Sequence, residues 1–122
     1  MIVDKPWGKV QTYALNQPAS VRVITIAPGE ASEEHFHRLR DKLWVVLDED
    51  LTVTVGAVAT ETKPGDELMV PSEEAHQIEN RGANAARVLE IAFGYTTEED
   101  TFLVTDVAAD AETPRPAVPE AF

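Results

Sequence analysis

Short runs of β-branched and alternating apolar residues, separated by Pro, Gly, Asn or Asp, recur along the chain from Lys5 to Phe93. Val21 to Ile26 (VRVITI) predicts a strand stopped by Pro28-Gly29. Leu51 to Val55 (LTVTV) alternates cleanly and turns through Gly56 into a second strand, Val58 to Thr62. Glu67 to Val70 follows the turn Lys63-Pro64-Gly65-Asp66, and His76 to Asn80 is separated from Ala86 to Phe93 by Asn80-Arg81-Gly82. Glu33 to His37 and Leu43 to Leu47 read as short extended stretches around a polar bend, and Lys5 to Asn16 as a short strand after a Pro-Trp-Gly turn. Strands of four to eight residues with turn chemistry between them predict an all-β sandwich or barrel. From Val107 onward three prolines and the loss of any period mark a tail over residues 108–122, either mobile or lying on a partner subunit. The predicted domain is residues 1–107.

The period of two also sorts side chains by face. His35 and His37 share one face, and Phe36 takes the other. Lys42, Trp44 and Val46 share a face, read as inward, and Arg22 lies on the face of Ile24 and Ile26. Glu90 alternates with Val88 and Ala92 against Leu89, Ile91 and Phe93, so either face of that strand could be the buried one. The chain has only three histidines, His35, His37 and His76. A third imidazole from a neighbouring strand would join the first two in a three-nitrogen metal site, suited to Zn, Ni, Mn, Fe or Co. Lys42 is the complication, because an inward ammonium would stand beside that cation. Three outcomes are open. Lys42 swings away to pair with Glu33; or Asp41 supplies a carboxylate through a local bulge; or a buried Lys42 acts as a base or an anion hook. The acidic run Glu98-Glu99-Asp100 reads as a solvated turn or helix cap.

Composition narrows the function. A length of 122 residues predicts one domain, and the absence of cysteine removes disulfides, thiolate metal sites and Cys nucleophiles. A formal net charge of -12 argues against nucleic acid as a partner, and against anionic ligands unless a local basic cluster overrides it. The N-terminus lacks a signal-peptide layout and no apolar run approaches membrane-spanning length, so no membrane partner and a cytoplasmic location are expected.

The paired histidine stretches resemble the two motifs of the cupin superfamily. Gly29, His35 and His37 match the first motif, and Gly65, Pro71, His76 and Asn80 match the second at every spacing. The resemblance implies a single-domain cupin, a jelly-roll-like double-stranded β-helix barrel. Lys5-Pro6-Trp7-Gly8, the segment Arg40 to Val46, and Leu89-Glu90-Ile91 with Gly94 make the chain look most like the cupin domain of type II mannose-6-phosphate isomerases. In that match the family's metal-binding Glu falls on Lys42, a further His on Leu39, a Gln on Ala92, an Arg on Leu103, and motif glycines on Glu49 and Glu73. The resemblance implies aldose–ketose isomerisation of a sugar or sugar phosphate, with His35, His37 and His76 as metal anchors and Glu90 or Lys42 as the base. Two alternatives accompany it: a non-catalytic cupin that binds a small, sugar-like ligand, and a three-His non-haem iron dioxygenase. It also implies a homodimer paired through outer sheets.

Overall fold

A computed structural model describes residues 1–94 and 96–104. Its strands are β1 (Ile2–Lys5), β2 (Gly8–Gln11), β3 (Ala19–Ile26), β4 (His35–Phe36), β5 (Arg40–Val46), β6 (Leu51–Val55), β7 (Val58–Glu61), β8 (Glu67–Val70), β9 (His76–Asn80), β10 (Ala86–Gly94) and β11 (Phe102–Leu103). A 3-10 turn, Glu98–Asp100, precedes β11. One sheet has the order β3-β10-β5-β8 and faces a second, β11-β4-β9-β6-β7; β1 and β2 form a separate hairpin. All pairings are antiparallel. This is the all-β cupin barrel that the strand pattern and motifs predict. No helix among the described residues is long and apolar enough to cross a membrane.

The inward rows of the barrel change character along their length. On β5 the inward positions run Arg40, Lys42, Trp44, Val46; on β10 they run Ala86, Val88, Glu90, Ala92, with Ile91 of the other face also buried. Register sets Trp44 and Arg22 on either side of Glu90, and Val46 and Ile24 on either side of Val88. One end of the barrel is therefore apolar, filled by Ile24, Ile26, Val46, Leu51, Val53, Ile78 and Val88, while Val70 of the same core lies beside Lys42. Each such side chain contributes roughly 1.5–3 kcal/mol by leaving water. Asn80 closes that end: its Nδ2 donates to the Ile26 and Asn84 carbonyls, and its Oδ1 accepts from Gly82 N. The opposite end collects the polar groups.

Several expectations need correction. The N-terminal strand begins earlier and is a hairpin, with Pro6-Trp7 as its turn, because Ile2-Val3 pairs across to Val10-Gln11. The stretch Glu33 to His37 yields only the two residues of β4. The strand β11 is an addition that the polar sequence around it did not signal, whereas the turn before it, Glu98–Asp100, falls on the acidic run read as a turn. Asp100 is buried rather than solvated, its carboxylate accepting from Arg38 N and Leu39 N. Residues 105–122, including the predicted tail, lie outside the described residues.

Candidate functional site

Three strand ends bring the histidines together. His35 of β4 pairs directly with His76 of β9, and His37 follows two residues later where the chain leaves β4. One ligand nitrogen from each lies within 4.8 Å of the other two, and all three rings are buried. Each ring is held by a backbone carbonyl: Nδ1 of His35 donates to Glu33 O at 2.7 Å, of His76 to Glu74 O at 2.9 Å, and of His37 to Asp100 O at 2.9 Å. A carbonyl can only accept, so Nδ1 carries the proton and Nε2 keeps its lone pair, the arrangement usual for metal-bound imidazole. Burial first, then the neighbouring Lys42 and Arg40 cations, pull His35 down to about 4 and His37 to about 2. Burial and Lys42 likewise hold His76 well below its ordinary value. All three are neutral at pH 7.

Lys42 points inward and is fully buried, as the parity of β5 requires. It does not pair with Glu33. The regular strand β4 ends at His35, so alternation does not carry back to Glu33, which stays exposed; only its carbonyl reaches the site. Nor does Asp41 supply a ligand. The strand β5 runs without a bulge, and the exposed Asp41 accepts from Ser72 N at 2.7 Å. Instead Lys42 Nζ sits 2.9 Å from Glu90 Oε1 and donates to His76 Nε2 at 3.1 Å. Glu90 resolves onto the inward face. Its Oε1 also accepts from Trp44 Nε1 at 3.1 Å, and its Oε2 accepts from Arg22 Nη2 at 2.6 Å and Arg22 Nε at 2.9 Å. Burial works to raise Glu90, but Lys42 and Arg22 outweigh it and hold the carboxyl down to about 2. For Lys42 burial prevails over the attraction of Glu90 and lowers the amine to about 8.

Arg40 is the residue that the sequence did not single out. It is buried one turn of the pleat from Lys42, with Nη2 3.0 Å from His37 Nδ1 and 3.2 Å from Nε2. Near-equal distances to both nitrogens set the guanidinium against the His37 ring, out of line with either lone pair. Arg–x–Lys on an inward row was the available signal. Phe36 faces outward as expected, stacking on Phe102 at 5.4 Å with the Arg38 guanidinium over Phe102 at 4.8 Å.

By spacing and tautomer the three imidazoles could hold a metal ion, with His35, His37 and His76 as ligands. The cations beside them do not fit one. Lys42 engages the lone pair of His76, and the Arg40 guanidinium lies against the His37 ring. Two like unit charges about 4 Å apart repel by about 4 kcal/mol at an effective dielectric of about 20, and a dication doubles that.

The family model described as mannose-6-phosphate isomerase C-terminal matches residues 1–106. The chain is 31% identical over 99 residues to mannose-1-phosphate guanylyltransferase RfbM of Salmonella typhimurium, covering 80% of this chain and 21% of that protein. It is 35% identical over 85 residues to the tetracenomycin polyketide synthase protein TcmJ of Streptomyces glaucescens, covering 64% of this chain and 57% of that one. The chain thus spans about a fifth of the length of the guanylyltransferase. Among solved structures, a sugar phosphate isomerase from a cupin superfamily, from Silicibacter pomeroyi, superposes with a TM-score of 0.60 at 24% identity, over 73% of this chain and 57% of that one. That likeness concerns the fold.

Proposed function

The chain belongs to the mannose-6-phosphate isomerase C-terminal family of cupins, and on that premise we propose that its barrel binds a sugar or sugar phosphate at the histidine corner. One observation carries the reading. Three neutral imidazoles, two buried cations and an ion-paired carboxylate converge at the polar end of the barrel. Such a mixture of acceptors and charged donors suits a ligand rich in hydroxyl and carbonyl oxygens.

The activity proposed for the site is aldose–ketose isomerisation, in which a proton leaves the carbon beside the carbonyl and, through an enediol, is returned to the former carbonyl carbon while the neighbouring hydroxyl gives up its proton to become the new carbonyl. Lys42 would donate to the carbonyl oxygen and stabilise the charge that develops there. Glu90 would carry the proton. Held near 2 by its cations, it is a weak base in the closed site. It gains basicity when the substrate oxygen draws the Lys42 ammonium away. A second reading, binding without turnover, is favoured by the engagement of both Glu90 oxygens by Lys42, Trp44 and Arg22. Calorimetric titration with mannose 6-phosphate, fructose 6-phosphate and mannose should give saturable binding of at least one. No binding of any of them overturns the sugar reading. Binding without interconversion of the two phosphates leaves the binding module and removes the isomerase.

A further inference from the structure

The charges inside the barrel do not balance. Arg40 and Lys42 are buried, 3% and 0% exposed, and Arg22 reaches in from the rim. Against these three cations stand two carboxylates among the described residues, Glu90 and Asp100. Glu90 serves both Lys42 and Arg22. The Asp100 carboxylate is turned to the Arg38 and Leu39 amides. Arg40 makes no ion pair among the described residues, and its Nε has no hydrogen-bond acceptor there. Its remaining donors reach only the His37 ring and, at 3.3 Å, Thr97 O. A buried guanidinium that feels Glu90 and Asp100 only from a distance, with no direct ion pair, is unfavourable. It is also out of keeping with a chain of net charge -12, whose surface could readily have supplied a carboxylate.

A cleft of about 470 Å³ adjoins this arrangement, lined by Arg40 with Leu39, Asp41, Ser72, Phe93 and Gly94 among others. Arg40 thus borders the cleft and touches the His37 ring. Behind it, Lys42 lies near enough to feel the Arg40 charge.

We propose that the polar end of this barrel is a binding site for an oxyanion, a carboxylate or phosphate group of a small ligand, held between Arg40 and Lys42, with the Lys42 ammonium as resident cation where a divalent metal ion would otherwise sit among His35, His37 and His76. This deepens the sugar reading and rests on the barrel being the ligand site. An oxyanion supplies both the missing negative charge and acceptors for the guanidinium. The neutral imidazoles then keep the two cations oriented through the His37 ring and His76 Nε2.

Calorimetric titrations of the full chain with inorganic phosphate, with acetate and with Ni²⁺ test this. Wild-type protein should bind phosphate or acetate, the two arms separating a phosphate from a carboxylate preference, and should not bind Ni²⁺ stoichiometrically. Affinity for the preferred anion should fall at least tenfold in Arg40→Met and in Lys42→Met and be largely kept in Lys42→Arg. Stoichiometric Ni²⁺ binding by the wild type, or no binding of either anion, overturns the proposal, as does anion binding unchanged by both Met substitutions. The wild-type titrations decide it even where a variant does not fold. If phosphate or acetate binds but no sugar or sugar phosphate does, the oxyanion site stands and the sugar reading alone falls.

Discussion

At the scale of residues, the site is a set of titratable groups held in unusual protonation states by their surroundings. The imidazoles are neutral in the fold and take up protons near 6.5 once unfolded. Between those values the unfolded chain binds more protons, so stability is complete above about 6.5 and is lost as pH falls toward the folded values. For His35, held near 4, the loss is about 1.4 kcal/mol per pH unit. Thermal melts between pH 6.5 and 5 should therefore fall steeply in the wild type and less so in His35→Asn; an unchanged melting temperature across that window would contradict the neutral assignment. The three histidines were legible because the chain has no others and their spacing fits paired strands. Lys42 was legible as inward, but its partner was not, since the choice of Glu90 over Glu33 depends on where β4 stops. Asp100 was hidden for a related reason, since its partners lie more than sixty positions away, and Arg40 because the His37 ring meets it only where the chain leaves β4.

At the scale of elements, β5 and β10 determine where the charges go. Their continuous antiparallel register sets Lys42 beside Ala92 and Trp44 beside Glu90, so that the charged pair is a diagonal neighbour on one inner face. The strand β10 ends against β5 at Gly94, opposite Arg40, with φ at +96°. A Cβ there would meet the Leu39 carbonyl oxygen at 2.6 Å. Gly94→Ala should accordingly destabilise the protein by roughly 1–3 kcal/mol in denaturant unfolding, through positive-φ strain and a backbone clash, and should disturb the seat of Arg40. A change below a few tenths would contradict the close approach. By contrast Glu73, which falls on a motif glycine in the family match, keeps the left-handed conformation at φ +71°, so the turn outlasts the residue that usually makes it. The long strands were readable from alternation. The two-residue strands β4 and β11 were not, because pairs that short have no period and exist only through their neighbours.

At the scale of the whole molecule, the apolar end of the barrel is closed and the hairpin of β1 and β2 is not. Ile2, Val3, Trp7 and Val10 are all exposed, and so are Val21, Val23 and Met69 on the outer face of the four-stranded sheet. A two-stranded hairpin that joins neither sheet is marginal in water, and a second copy of the chain is the expected cover for these exposed residues. Sedimentation equilibrium should thus report a homodimer that Trp7→Ser with Val10→Ser weakens; a wild-type monomer at tens of micromolar would contradict it. Family membership and the barrel were legible because motif spacing and strand pattern agree. The inverted charge of the site was legible only as a discrepancy at Lys42, and its resolution needed the burial of Arg40 and the pairing with Glu90. The most direct measurement is the metal stoichiometry of purified protein after saturation with Ni²⁺ and desalting, for the wild type and for Lys42→Glu. The wild type should retain essentially none, and the variant, with the resident cation replaced by a carboxylate, should approach one ion per chain. One ion per chain in the wild type would contradict the assignment of Lys42 as the cation of this site.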